Sequence, residues 1–391
     1  MVSSSKQHLS LRALILTLGL PIICSTFSVG ISAHEKVLTK KQTAVRAEQL
    51  KAIWLDSVRT ATAYAYDQKT IRFDTLTMPL DWKIFGTPGP HGYALYISLH
   101  GGGGTTPESN DQQWRNQMRL YRPKNAVYLC PRAPYNSWDL HFKTRLDEMY
   151  RRVILMAQAW LNVDPNHVYI MGYSAGGDGV WRLAPRLADI WAAASMMAGH
   201  PGDVSLLNLR NLPFMIWCGE RDAAYDRNSQ CRGRIAQMDS LQTADPGGYI
   251  HEGHIVEGKG HWMDRVDTVA VDWMGQYERQ PYPKRIVWKQ AGEAKLHFYW
   301  LSAPREQLKR DMEVRAEVHG NTISITRCDY SRLTLSLSDS LVNLDRPVTV
   351  VYQGKNLFRG KVKRHASTLR RTLYERDDPS YMVPAQIELH F

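Results

Sequence analysis

The spacing of apolar residues changes character along this chain, and each change marks a different kind of element. Residues 37–66, VLTKKQTAVRAEQLKAIWLDSVRTATAYAY, place apolar side chains at helical spacing with no Gly or Pro, which predicts an amphipathic helix laid against a core. Short apolar runs follow, beginning with IRFDTLTMPL and continuing through YALYISLHGGGG, AVYLCPRAP, HVYIMGYSAGG, AAASMMAGHPGD, PFMIWCGERD and YIHEGHIVEGKGHW. Helical stretches such as TRLDEMYRRVILMAQAWLN and GDGVWRLAPRLADIWAA separate several of them. Strands rich in Val, Ile, Leu and Tyr that alternate with amphipathic helices predict an α/β fold with a mainly parallel sheet covered on both faces. In such sheets, ligand sites gather beyond the carboxyl ends of the strands.

After RQPYPKR the period shortens to two. VRAEVHGNTISITR, RLTLSLSD, RPVTVVYQGKNLFRGKVKR and AQIELHF alternate apolar with polar residues between Gly, Asn and Asp turns, which predicts a small antiparallel all-β domain over 284–391. No cluster of reactive side chains falls within it, so its role is left unassigned. The expected organisation is a leader at 1–33, an N-terminal helix within 34–70, the α/β domain at 71–283 and then the β domain.

Composition removes some classes of protein. With 391 residues, 43% of them hydrophobic and 10% aromatic, the chain is long and apolar enough to bury a sizeable core and is not a disordered polymer. Lys6 and Arg12 precede the apolar run LILTLGLPIIC, and Ala33 offers a small residue for cleavage before His34. That pattern predicts a secretory signal peptide and export to the periplasm or the cell exterior, with membrane contact through that segment only. Export would leave Cys130, Cys218, Cys231 and Cys328, either disulfide-bonded or as buried thiols. The formal charge is +11, and most of the excess falls from Lys284 onward, where 19 Lys and Arg stand against 12 Asp and Glu. These cations are interspersed with acids along alternating strands, which reads as a solvated basic face and not as a nucleic-acid footprint.

Candidate chemistry centres on VYIMGYSAGGDGVW, residues 168–181. Ser174 lies between Gly172 and Gly176, with an apolar strand before it and a helix after it, the context in which a serine sits on a sharp turn as a nucleophile. A serine hydroxyl needs a base to take its proton and an acid to orient that base. Downstream, PFMIWCGERD delivers Asp222 just past a strand end, and IVEGKGHWMD delivers His261 past the next. Asp203 and Asp226 compete for the acid, and His200, His251 and His254 for the base. The stretch HEGH lacks the one-turn spacing of a zinc-binding H-E-x-x-H, so no metal is expected. Upstream, SLHGGGGTT ends a strand in glycines that let backbone N–H groups approach an oxyanion. The expected donors are Ala175 and either Gly102 or Gly103. Gln112, Gln113, Trp114, Trp138, Tyr173 and Trp262 fall near the presumed pocket, and of these Gln113, Trp138, Tyr173 and Trp262 are taken as substrate contacts.

Together LHGGGG, VDPNHVYIMGYSAGG, WCGERD and GKGHW resemble the α/β-hydrolase superfamily over residues 70–282. The chain is most similar to secreted polyhydroxybutyrate-depolymerase-like and feruloyl or acetylxylan esterase-like enzymes, and also to the prolyl-oligopeptidase and dienelactone-hydrolase group. The resemblance implies a cofactor-free serine hydrolase acting on esters, polymeric ones included, with Ser174, His261 and Asp222 as its triad. It does not extend to ESNDQQWRNQMRLYRPKN or to the β domain. Two other functions share these residues: a serine peptidase, and a binding protein on a hydrolase scaffold.

Overall fold

A computed structural model describes residues 35–391, and the expected leader lies outside the described residues. Helix α1 (Lys40–Asp67) matches the N-terminal periodicity. Its start is fixed by a reciprocal cap in which Thr39 Oγ1 accepts from the Gln42 N–H and Gln42 Oε1 accepts from the Thr39 N–H. Leu50, Trp54 and Val58 form its buried stripe and pack against Ala159, Leu369 and Leu373 from two later helices. No helix among the described residues is long and apolar enough to cross a membrane.

The hairpin of β1 (Thr70–Phe73) and β2 (Leu76–Phe85) opens the α/β region. Then come β3 (Tyr93–Leu99), α2 (Pro107–Gln117), β4 (Ala126–Pro131), α3 (Leu146–Trp160), β5 (Val163–Tyr173) and α4 (Ala175–Arg186). The series closes with β6 (Ala193–Met197), β7 (Phe214–Gly219), α5 (Arg227–Ala244), β8 (His251–Val256) and α6 (Val269–Met274). These strands make one eight-stranded sheet in the order β1-β2-β4-β3-β5-β6-β7-β8. Strands β3 to β8 run parallel, whereas β2 pairs with β4 antiparallel. Every residue of β4, β6 and β7 is buried, as expected of central strands covered on both faces. The mainly parallel sheet foreseen from the sequence is therefore present. The stretch that resembled no family, after the glycine loop, contains α2, capped by the Thr106 hydroxyl on the Ser109 N–H with Pro107 at its first turn.

The carboxyl-terminal region continues with β9 (Arg285–Lys289), β10 (His297–Phe298), β11 (Leu301–Ser302), β12 (Glu313–His319), β13 (Thr322–Cys328) and β14 (Arg332–Leu337). It ends with β15 (Val348–Tyr352), β16 (Lys355–Gly360), α7 (Ala366–Arg376) and β17 (Ala385–His390). Two sheets form here, β10-β11-β14-β17 and β16-β15-β13-β12-β9. All pairs are antiparallel except β13 with β15, whose long connection through β14 allows the parallel approach. Helix α7 was not foreseen. Its helical signal is the single pair Leu369 and Leu373, both buried against α1.

Residues 37–391 pack as one unit, and one apolar cluster runs from β3 and β5 through Trp288 and Phe298 into β12 to β15. Asn208 secures the junction by pairing its side chain with both main-chain groups of Lys289, accepting at 2.7 Å and donating at 2.9 Å. Deeper in, the buried Asp189 carboxylate meets Arg376 at 2.6 Å, and the Tyr381 hydroxyl donates to the Asp189 carbonyl at 2.6 Å. Removing the cation alone would strand a buried charge. Arg376→Met is expected to destabilise the fold by about 3–5 kcal/mol, measured by denaturant unfolding, with part of the loss recovered in the double variant that also carries Asp189→Asn.

Candidate active site

Strand β5 runs straight into Ser174, which adopts φ 60° and ψ −122° before α4 begins at Ala175. Such a backbone is strained for a residue with a side chain, by about 1–3 kcal/mol, so its surroundings must hold it. The Ser174 N–H donates to the Met197 carbonyl at 2.9 Å. At Gly176 the first turn of α4 presses against the end of β3: a Cβ there would stand 2.1 Å from the Leu99 carbonyl oxygen. Only glycine fits.

The candidate base and acid arrive from beyond the ends of other strands of the sheet. His261, beyond β8, places Nε2 2.9 Å from Ser174 Oγ and Nδ1 2.8 Å from Asp222 Oδ2. Asp222, beyond β7, is 2% exposed, and its other oxygen faces Arg227 Nη1 at 3.4 Å. Because a carboxylate can only accept, Nδ1 carries the imidazole hydrogen and Nε2 presents its lone pair to the serine. The loop bearing His261 is clamped by Tyr173, whose hydroxyl donates to the His261 carbonyl at 2.6 Å and accepts from the Met263 N–H at 3.1 Å. The rival acids lie elsewhere: Asp203 pairs with Arg310 at 3.0 Å, and Asp226 sits at the start of α5. Of the rival bases, His251 pairs with Asp239, His254 stacks on Trp217 and His200 lines the pocket.

The glycine loop is held from behind by a polar network that the sequence reading missed. Asn110 of α2 is fully buried, and its Oδ1 accepts from the Gly103 N–H at 2.8 Å. Its Nδ2 donates to Asn136 Oδ1 at 3.1 Å, and that oxygen also accepts from Arg132 Nη2 at 2.7 Å. Gly102 has φ 102°, and a Cβ on it would stand 2.3 Å from Asn110 Oδ1, so this position also demands glycine. The Gly103 N–H is thus engaged inside the loop. That of Gly102 makes no hydrogen bond to the described residues, and that of Ala175 is the first in α4, a position with no intrahelical acceptor. Beneath the loop, buried His100 accepts the Ala133 N–H on Nε2 at 3.2 Å and donates from Nδ1 to the Gly101 carbonyl at 2.6 Å.

A cavity of about 480 Å³ opens over Ser174, Ala175, Gly102 and Gly103. Trp138, 61% exposed, stands on its wall. The other residues taken as substrate contacts lie off the cavity: Tyr173 is buried under the His261 loop, half-exposed Trp262 leans on the Tyr173 ring at 5.6 Å, and Gln113 lies behind Gly101. Asp178, Arg182, His200, Tyr225 and Arg227 complete the wall, and nothing in the local sequence around them signalled it. Cys130, Cys218, Cys231 and Cys328 are free thiols. Among the described residues no cluster of His, Cys, Asp and Glu is placed to hold a metal ion.

No protein-family model matches the chain, and neither does any curated protein. Among solved structures, a thermostable esterase aligns at 19% identity and a TM-score of 0.42 over 54% of this chain and 62% of its own, so the chain spans about three fifths of that protein. A ferulic acid esterase aligns at 15% identity and a TM-score of 0.38 over 53% of this chain and 95% of its own. Est1E from Butyrivibrio proteoclasticus aligns at 13% identity and a TM-score of 0.36, with coverage of 53% and 95%. The parallel sheet, with its antiparallel second strand and a serine at the β5–α4 turn, has the α/β-hydrolase arrangement expected from the sequence.

Neutral His100 satisfies both of its backbone partners, and a proton on Nε2 would break the bond from Ala133. Burial therefore pushes its pKa down from 6.5 to about 4. Burial moves His141, which contacts the His100 carbonyl through Nε2 at 2.8 Å, in the same direction. Between pH 6.5 and 4 the unfolded chain takes up protons that the folded chain refuses, so stability falls as pH falls. Denaturant unfolding at pH 7 and pH 5 is expected to differ by about 2 kcal/mol from His100 alone.

Proposed function

We propose that this chain is a serine hydrolase that cleaves carboxylic esters through an acyl-enzyme. The observation that carries the reading is the unbroken chain from Ser174 Oγ to His261 Nε2 at 2.9 Å and from His261 Nδ1 to Asp222 at 2.8 Å, built on a strained strand-to-helix turn. Ser174 Oγ attacks the ester carbonyl while His261 Nε2 takes its proton. The resulting oxyanion is met by the Gly102 and Ala175 N–H groups, Gly103 being engaged by Asn110. Collapse expels the alcohol, which leaves with the proton from His261. Water, deprotonated by the same imidazole, then attacks the acyl-enzyme, and the proton returns to Ser174 as the acid is released. Asp222 stabilises the imidazolium in both halves.

Exposed Trp138 and Tyr225, 61% and 79% accessible, flank the cavity and support ring-bearing or polymeric esters as substrates. Export, supported by the leader-like residues 1–33, belongs to the same proposal.

Incubation with a fluorophosphonate probe is expected to label the native protein at Ser174 and to leave Ser174→Ala unlabelled. That variant is expected to lose about 10⁴-fold or more in kcat on short aryl esters while keeping its unfolding midpoint. Wild-type protein that neither labels nor turns over any ester would overturn the reading. Asn110→Ala releases the Gly103 N–H and loosens the loop carrying Gly102. Steady-state kinetics are expected to show kcat lowered by about 10- to 100-fold with a much smaller change in KM, the mark of a contact made in the transition state.

A further inference from the structure

Besides the glycine loop, the cavity over Ser174 is lined by two guanidinium groups, Arg182 and Arg227, and one carboxylate, Asp178. Arg182, from the third turn of α4, and Arg227, from the start of α5, both face the space beside Ser174. Arg182 pairs with no carboxylate among the described residues: Nη1 donates to the Pro201 carbonyl and its guanidinium lies over the Phe142 ring, leaving Nε and Nη2 without a protein acceptor. Arg227 is 8% exposed. Its guanidinium lies over the Tyr225 ring, and its Nη1 reaches Asp222 Oδ1 at 3.4 Å and the Ala224 carbonyl at 3.3 Å, but its buried Nε has no hydrogen-bond partner and Nη2 donates none to the described residues.

The carboxylates within reach leave these guanidinium N–H groups without an acceptor. Asp222 is held by His261, and Asp203 is exposed and paired with Arg310. Asp178, on the same wall, accepts the His200 N–H at 2.6 Å; it and Asp203 attract the Arg182 guanidinium without hydrogen-bonding to it. His200, by contrast, has its pKa lowered by burial and adds no fixed charge. Guanidinium N–H groups left unmatched in a half-buried wall are expensive unless something accepts from them, and the complementary acceptor is a planar anion able to take two parallel bonds.

Resting on the hydrolase reading of Ser174, we propose that the substrate carries a carboxylate, and that Arg182 together with Arg227 binds it in the cavity beside the scissile ester. The residues that fix this specificity are distinct from those that cleave the bond. Arg182 touches none of Ser174, His261 or Asp222, and Arg227 meets the triad only through Asp222. The carboxylate belongs either to the acyl group or to the alcohol, and both enter the same cavity.

The test compares matched esters on the full chain. For the acyl side, 4-nitrophenyl hydrogen succinate is set against its methyl-capped diester. For the alcohol side, 4-acetoxybenzoate is set against methyl 4-acetoxybenzoate. At low ionic strength the wild type is expected to prefer one of the anionic esters by about tenfold or more in kcat/KM, and added salt should shrink that preference. In Arg182→Gln the ratio of anionic to neutral kcat/KM is expected to fall about tenfold, with Arg182→Lys intermediate. If Arg182→Gln does not fold, inhibition of the wild type replaces it: benzoate is expected to compete with a neutral aryl acetate and benzamide is not. Equal rates for charged and neutral esters, a preference that survives Arg182→Gln, or equal inhibition by benzoate and benzamide would each overturn the proposal. Absence of turnover on every ester together with absence of fluorophosphonate labelling would instead remove the hydrolase reading beneath it.

Discussion

The whole site depends on how closely the first turn of α4 approaches the carbonyl ends of its neighbouring strands. Gly176 rests on the Leu99 carbonyl, and Gly177 rests on that of Met197, where a Cβ would stand 2.5 Å away. That contact brings the end of β3, and so the glycine loop, beside the end of β5. It also holds Ser174 at a positive φ that no local preference would choose. A larger residue at Gly176 would push α4 off the sheet and part Ser174 from both the loop and His261. The strain at Ser174 is thus maintained by packing between elements, which is why the glycines matter as much as the serine.

A second layer of order is polar. The loop at 101–104 has no hydrophobic side chain with which to anchor itself, so its shape comes from Asn110, Asn136, Arg132 and His100. Asn110, Asn136 and Arg132 satisfy one another, His100 bonds the backbone of Gly101 and Ala133, and together they replace the backbone pairing that the loop cannot make for itself. Tyr173 does the same for the loop carrying His261. Ser174, His261 and Asp222 each stand just past a different strand, with buried hydrogen bonds bracing their loops. Such positioning is rigid because an unmade bond in that interior is costly.

Legibility followed from this division. Ser174, Asp222 and His261 could be read in the chain because strand ends, tight turns and chain order are local signals, and the parallel sheet could be read because fully buried strands are continuous apolar runs. Gly102 and Gly103 could not be told apart, since the residue that engages the Gly103 N–H, Asn110, sits on a polar helix whose only local marks are Thr106 and Pro107. Tyr173 was taken as a substrate contact because it adjoins the serine; its hydroxyl points to the His261 loop instead, a relation across 88 residues that no local pattern carries. Arg182 and Arg227 were invisible for a similar reason. On their own helices they look like ordinary surface cations, and only the fold gives them a common cavity. In the carboxyl-terminal region the alternation of period two located β12 to β17 but not β9 to β11 and not the partners, so the parallel pairing of β13 with β15 had no signature.

The carboxyl-terminal sheets also bear on the site, although none of their residues lines the cavity. Asp189 follows α4 directly, and its carboxylate is neutralised by Arg376 at the end of α7. Arg186, in the last turn of α4, meets Asp147 at 2.6 Å, and Lys295, from the region between β9 and β10, pairs with the same Asp147. The C-terminal end of the helix that begins at Ser174 is therefore fixed through ion pairs that include side chains far along the chain, while its N-terminal end is fixed against β3 and β6. A helix held at both ends cannot tilt to relieve the strain at its first residue. On this argument the β region helps to hold the helix that follows Ser174, and its buried charges have a structural purpose.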